Sequence, residues 1–159
     1  DLYRKLQDLP KAIEDLTKAI ALGEPIELKR RAQVSKTHDL RGGLNENERK
    51  VVDGFDVGQT RNSRARVYEQ QGNTDKALSD YDRAIELEPN KAMKAIYHFN
   101  RGDLLESLGE EDRALDDFSQ AISLDGAEPA YKAARKKLSI KMGRTETDKD
   151  HTKSNQPQC

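Results

Sequence analysis

The chain has 159 residues, enough for about one domain, but only 34% of them are hydrophobic, 36% are charged, and there is no Trp. That composition excludes a deep core with a closed catalytic pocket and favours a thin layer of helices. The 28 Lys and Arg nearly balance the 29 Asp and Glu, so no overall field draws the chain to nucleic acid or to a membrane surface. No apolar run is long enough to span a bilayer. The single Cys159 rules out an internal disulfide framework and fits an intracellular, reducing compartment, without separating cytoplasm from an organelle interior.

In chain order, residues 1–25 read as a truncated first unit. The stretch QDLPKAIEDLTKAIAL at 7–22 puts Ala12, Leu16 and Ala19 on one helical face, with Pro25 just beyond. Asp1 falls inside this helical pattern with neither Met nor a leader, and is expected to be a cut. Residues 26–57 form an insert or a degenerate unit. Pro25 is placed at the first turn of a basic helix, PIELKRRAQVSKTHDL. RGGLNEN then breaks the pattern, and ERKVVDGFDVGQ is compatible with a short second helix. A partner-contacting excursion is the functional alternative for this segment.

Residues 58–91 and 92–128 repeat one pattern. From Ala65 the positions run Tyr68, Ala77, Tyr81, Ala84, Pro89; from Gly102, equal steps reach Leu105, Ala114, Phe118, Ala121, Gly126. This spacing describes antiparallel helix pairs. Small residues (Ala65, Ala77, Gly102, Ala114) permit close approach, and the larger ones fill the seams. Gly72 and Gly109 mark the turns, and Pro89 stops a helix. A lone pair would leave an apolar face wet, so such units stack. The interval from Ala12 to Ala77 is 65 residues, which leaves about 31 beyond one 34-residue unit. Residues 129–144 complete a cap helix with Tyr131, Ala134, Leu138 and Met142 on one face. Its basic side chains, including Lys132, Arg135, Lys136 and Lys141, either complement the acidic preceding helix or offer a docking strip. The polar tail, 145–159, is too hydrophilic to order itself, and another chain is expected to hold it.

SRARVYEQQGNTDKALSDYDRAIELEP and FNRGDLLESLGEEDRALDDFSQAISLD resemble the tetratricopeptide repeat, a helix-turn-helix unit of about 34 residues. The resemblance implies an all-α fold, with antiparallel helix pairs stacked in a right-handed superhelix. It implies no catalysis. It also implies a concave wall, built from the first helix of each pair, that holds a peptide or a partner helix. On this chain that wall would carry Gln59, Asn62, Arg66, Glu69 and Gln70 from one helix and Ile96, Phe99, Asn100, Asp103 and Glu106 from the next. Phe99 is the expected anchor, because interfaces concentrate energy on aromatic residues; contact with the inserted segment or with a neighbouring helix is the alternative.

Chemistry-bearing constellations do not emerge. His38, His98 and His151 lie far apart and show no zinc spacing, RGGL at 41–44 is too short for a phosphate loop, and Asp116 and Asp117 read as solvated charge. No enzyme activity, cofactor or metal is expected. Asn100 stands where the carboxylate-clamp variant of the repeat places its central Asn, but Asn62 and Arg66, then Pro129 or Ala130 and Ala133 or Ala134, depart from the rest of that pattern. The function expected is a non-enzymatic interaction scaffold, a peripheral subunit of a larger assembly. The alternative is a transient co-chaperone or assembly factor.

Overall fold

The computed structural model describes residues 2–37 and 56–144. Helix α1, Leu2–Thr37, leads into two helix pairs, α2 (Val57–Gln70) with α3 (Thr74–Leu87) and α4 (Lys91–Ser107) with α5 (Glu111–Leu124), and α6 (Pro129–Lys141) follows. The described residues contain no strand. Each helix packs on the next in chain order, and α2 also touches α4. Short turns reverse the chain within each pair, so the paired helices run antiparallel.

Those turns are built by glycine. Gly72 and Gly109 have φ of 72° and 78°, which side chains other than glycine adopt only with strain. Around Gly72, Asn73 N–H reaches the Tyr68 carbonyl at 2.8 Å and Gly72 N–H reaches that of Glu69 at 2.9 Å. This pair of bonds satisfies carbonyls that a helix end leaves open. Gly109 and Glu110 repeat it on Glu106 and Leu105 at 3.1 and 2.9 Å. Side-chain oxygens of Asp56, Asn90 and Glu128 cap the N-termini of α2, α4 and α6.

The positions singled out by spacing form the core. Ala65, Ala77, Tyr81, Ala84, Ala114, Phe118 and Ala121 are completely buried. Gly102 makes room for the Phe118 ring, since a Cβ there would lie 2.8 Å from Phe118 Cε1. The core is a line of linked clusters. Leu104 of α4 joins Ala65, Ala77 and Tyr81; Leu138 of α6 joins Leu105, Ala114 and Phe118; Tyr131 joins Ala95 and Ala121.

Two local expectations are corrected. A helix was expected to begin at Pro25, but α1 runs through both Pro10 and Pro25 to Thr37. An interior proline costs about 3 kcal/mol, and the contacts just before it oppose that cost. Ile20 and Gly23 are buried, and Glu24 is anchored by Arg61 and Arg83. Asp117 was expected to be solvated with Asp116, yet only Asp116 is exposed; Asp117 is 3% exposed and buried in a polar seam.

Candidate functional site

On α2, Gln59, Asn62, Arg66, Glu69 and Gln70 recur at helical spacing, and on α4 the same holds for Ile96, Phe99, Asn100, Asp103 and Glu106. The two stripes meet. Asn100 donates its carboxamide N–H to Asn62 Oδ1 at 2.9 Å, closing α2 onto α4. Gln59, Arg66, Glu69, Gln70, Ile96 and Asp103 are exposed beside that link. Tyr81 reaches the stripe from α3 and donates its hydroxyl to Glu69 Oε2 at 3.0 Å.

The lower part of this wall is acidic. Although Asp103 is exposed, partial loss of water around its carboxyl pushes it above the usual range, and the neighbouring Glu106 and Glu69 push it further, while Lys137 opposes them. Lys137 Nζ is 3.6 Å from Glu106 Oε1. Phe99 does not stand free on the wall. It is half-buried, with its ring centroid 5.1 Å from that of Tyr131 and 5.7 Å from that of Phe118. Such tilted contacts hold a ring within the fold.

The basic strip divides. Lys141 is 2.8 Å from Glu111 and Arg144 is 2.6 Å from Asp112, so the end of α6 complements α5. Lys132 and Lys136 are exposed, and Arg135 is half-buried.

A second polar constellation was not legible as a unit in the sequence. In the first pair, Arg61 and Arg64 of α2 converge on Asp80 of α3 at 2.7 and 2.6 Å, and Glu24 of α1 joins Arg61 to Arg83. In the second pair, Arg101 and His98 of α4 converge on Asp117 of α5 at 2.7 and 2.8 Å. Burial pushes the Asp117 carboxyl up, but hydrogen bonds from Arg101 and His98 outweigh it and leave it below the usual range. Glu24 is lowered in the same way, its burial outweighed by Arg61 and Arg83. The recurring signal was Arg three residues apart from Arg or His, with Asp sixteen residues beyond the second. Along the outer edge of this seam, Arg61, Asp75, Leu78, Ser79, Asp82, Arg83, Glu86 and Arg113 line an open cleft of about 610 Å³.

These arrangements brace the helices against one another. Among the described residues no group of three or more His, Cys, Asp or Glu could hold a metal ion. No described helix is long and apolar enough to cross a membrane. The expectations for the tail at 145–159, and for most of the stretch at 26–57, fall outside the described residues.

The family model of the tetratricopeptide repeat matches residues 56–127. A search of curated proteins finds no match.

Proposed function

We propose that the chain is a non-enzymatic scaffold whose α2–α4 wall receives a partner peptide or helix, because residues 56–127 match the tetratricopeptide repeat and repeats of this family generally mediate protein–protein interaction. The wall is the concave side of a right-handed superhelix, and the chain serves as a peripheral subunit of a larger assembly. One observation carries this reading. The Asn62–Asn100 bond ties the two stripes together, and Gln59, Arg66, Gln70, Ile96 and Asp103 are exposed on them.

Pre-organisation matters here. A wall already locked by its own hydrogen bonds loses little entropy when a partner lands on it. Phe99 contributes indirectly, because its contacts with Phe118 and Tyr131 fix the wall's floor. Lys132 and Lys136 extend the interaction surface toward acidic segments of the assembly.

Site-directed photo-crosslinking tests the assignment. A crosslinking residue at Gln59 or Gln70 should capture a partner in cells, whereas one at Ser79 or Asp116, on α3 and α5, should not. Capture only from the α3 and α5 positions would move the interface off the wall. Membership of a permanent assembly predicts co-purification at constant stoichiometry; a free monomer that exchanges its partner would instead support the assembly-factor reading.

A further inference from the structure

Three oxygen-bearing side chains converge over Gly58, where α2 begins and α3 passes into α4. A Cβ built on Gly58 would lie 3.2 Å from Glu88 Oε2, 3.2 Å from Asp56 Oδ1 and 3.4 Å from Tyr97 Cε2. Glycine leaves room for all of them. Glu88 is 3% exposed and Tyr97 is 0% exposed. Glu88 Oε1 accepts the Asn90 N–H at 2.8 Å. Glu88 Oε2 and the Tyr97 hydroxyl are buried and make no hydrogen bond of good geometry. The two groups lie close enough to influence each other but are poorly aligned; buried oxygens so weakly paired are costly, and a carboxylate more so than a carboxylic acid.

The groups facing Glu88 come from each neighbouring element. Asp56 precedes α2, Tyr97 and Lys94 belong to α4, and Asn90 contributes its backbone N–H. Burial is the main influence and pushes the Glu88 carboxyl above its ordinary range; Asp56 pushes it further. The Asn90 N–H, Tyr97 and Lys94 offset these only in part.

We propose that Glu88 is a proton-operated latch between the first helix pair and the second, closed when its carboxyl is neutral and loosened when it ionises against Asp56. Closed, the acid proton lets Oε2 donate, whereas the ionised carboxylate can only accept and has the Tyr97 hydroxyl as its one nearby side-chain donor. Ionised, Glu88 faces the Asp56 carboxylate across the Gly58 gap. Asp56 transmits the strain, because its Oδ1 accepts the Gln59 N–H at 2.9 Å and its carbonyl accepts the Thr60 N–H at 3.0 Å. Disturbing that cap frees the first turn of α2, which carries Gln59. The latch thus acts on the wall from outside it, and it holds whether or not the wall is where a partner binds.

The direction of the pH effect follows from the raised carboxyl. A carboxyl whose folded value lies above its unfolded one stabilises fully below the unfolded value. That contribution is lost as pH rises through the folded value. Glu24 and Asp117, both lowered, act in the opposite, more acidic window.

Hydrogen exchange on the whole chain, read at the Gln59 and Thr60 amides and compared with amides of α5 at each pH, tests the latch. In the unaltered protein the ratio of α2-cap to α5 protection should fall as pH rises above the ordinary carboxylate range. Glu88→Gln should abolish that fall. Asp56→Asn, which keeps a capping oxygen, should move it to lower pH by removing the opposing charge. Titration of Asp103 persists in both variants and drops out of the difference. A Glu88→Gln protein with the original pH dependence would overturn the latch, as would an Asp56→Asn protein whose transition does not move.

Discussion

Helix α1 and the two complete pairs carry one apolar spacing and bury it to different depths. Tyr81 and Phe118, with the alanines flanking each in the repeat, are completely enclosed. The corresponding Ala12, Leu16 and Ala19 of α1 are half-buried, and Leu22 is 70% exposed. The apolar stripe is the same in kind, but enclosure comes from a helix on each side. In the complete pairs α3 lies between α2 and α4, and α5 lies between α4 and α6. Among the described residues α1 has α2 as its main neighbour. Its anchorage leans correspondingly on charge, through Glu24 with Arg61 and Arg83 and through Thr17, which accepts from Arg64 at 2.9 Å.

The largest expected contrast is at the ring positions. Phe118→Ala should cost about 3–5 kcal/mol, as truncation of a fully packed ring generally does. Leu16→Ala should cost less than half of that, measured by chemical denaturation of each variant. Equal losses would mean that α1 is enclosed as fully as α5 in solution.

Next is the buried charge of the second pair. Asp117→Ala takes the buried partner from Arg101 and His98, leaving Arg101 the exposed Asp82 at 2.5 Å, and should cost about 3 kcal/mol, in line with the breaking of a buried ion pair. Asp116→Ala, one residue away and exposed, should stay within about 0.5 kcal/mol. Similar values for both would remove the seam from the account of stability.

Overpacking sharpens the comparison between α1 and the pairs. Ala77→Leu and Ala114→Leu should each cost about 1–3 kcal/mol, because no space remains for three further carbons. Ala12→Leu should be nearly neutral, since its surroundings are half open. A large loss at Ala12 in denaturant melts would place another element over that face.

The smallest effect is on acidification. The Glu24 and Asp117 carboxyls both lie below their ordinary range when folded. Their stabilisation is therefore complete above the unfolded carboxylate range and lost as pH falls through the folded values. The thermal midpoint of Asp117→Asn should decline less steeply with falling pH than that of the unaltered chain. An identical decline would assign acid sensitivity to other groups.

Much of this fold was legible in the residues because its determinants are local. A small residue, a ring and a second small residue at fixed steps describe one helix face, and a glycine at a positive φ describes a turn, whatever lies elsewhere in the chain. That is why the alanines around Tyr81 and Phe118, and the turns at Gly72 and Gly109, could be placed from spacing alone. The candidate wall was legible only as two stripes. Their meeting depends on the Asn62–Asn100 bond, across 38 positions of sequence, and the contacts of Phe99 with Phe118 and Tyr131 come from two other helices.

The remaining features belong to the tertiary structure, for a physical reason. Whether a charged side chain is solvated or buried depends on what approaches it from other helices. Asp116 and Asp117 are adjacent and chemically identical, yet only Asp117 meets Arg101 and His98. Pro25 carries a strong local signal to break a helix, and α1 nevertheless continues through it beside contacts made by Ile20, Gly23 and Glu24. The sequence by itself determined the repeating amphipathic helices and their reversals. The packing of those helices decided which charges lost their water, and so where Glu24, Glu88 and Asp117 are held.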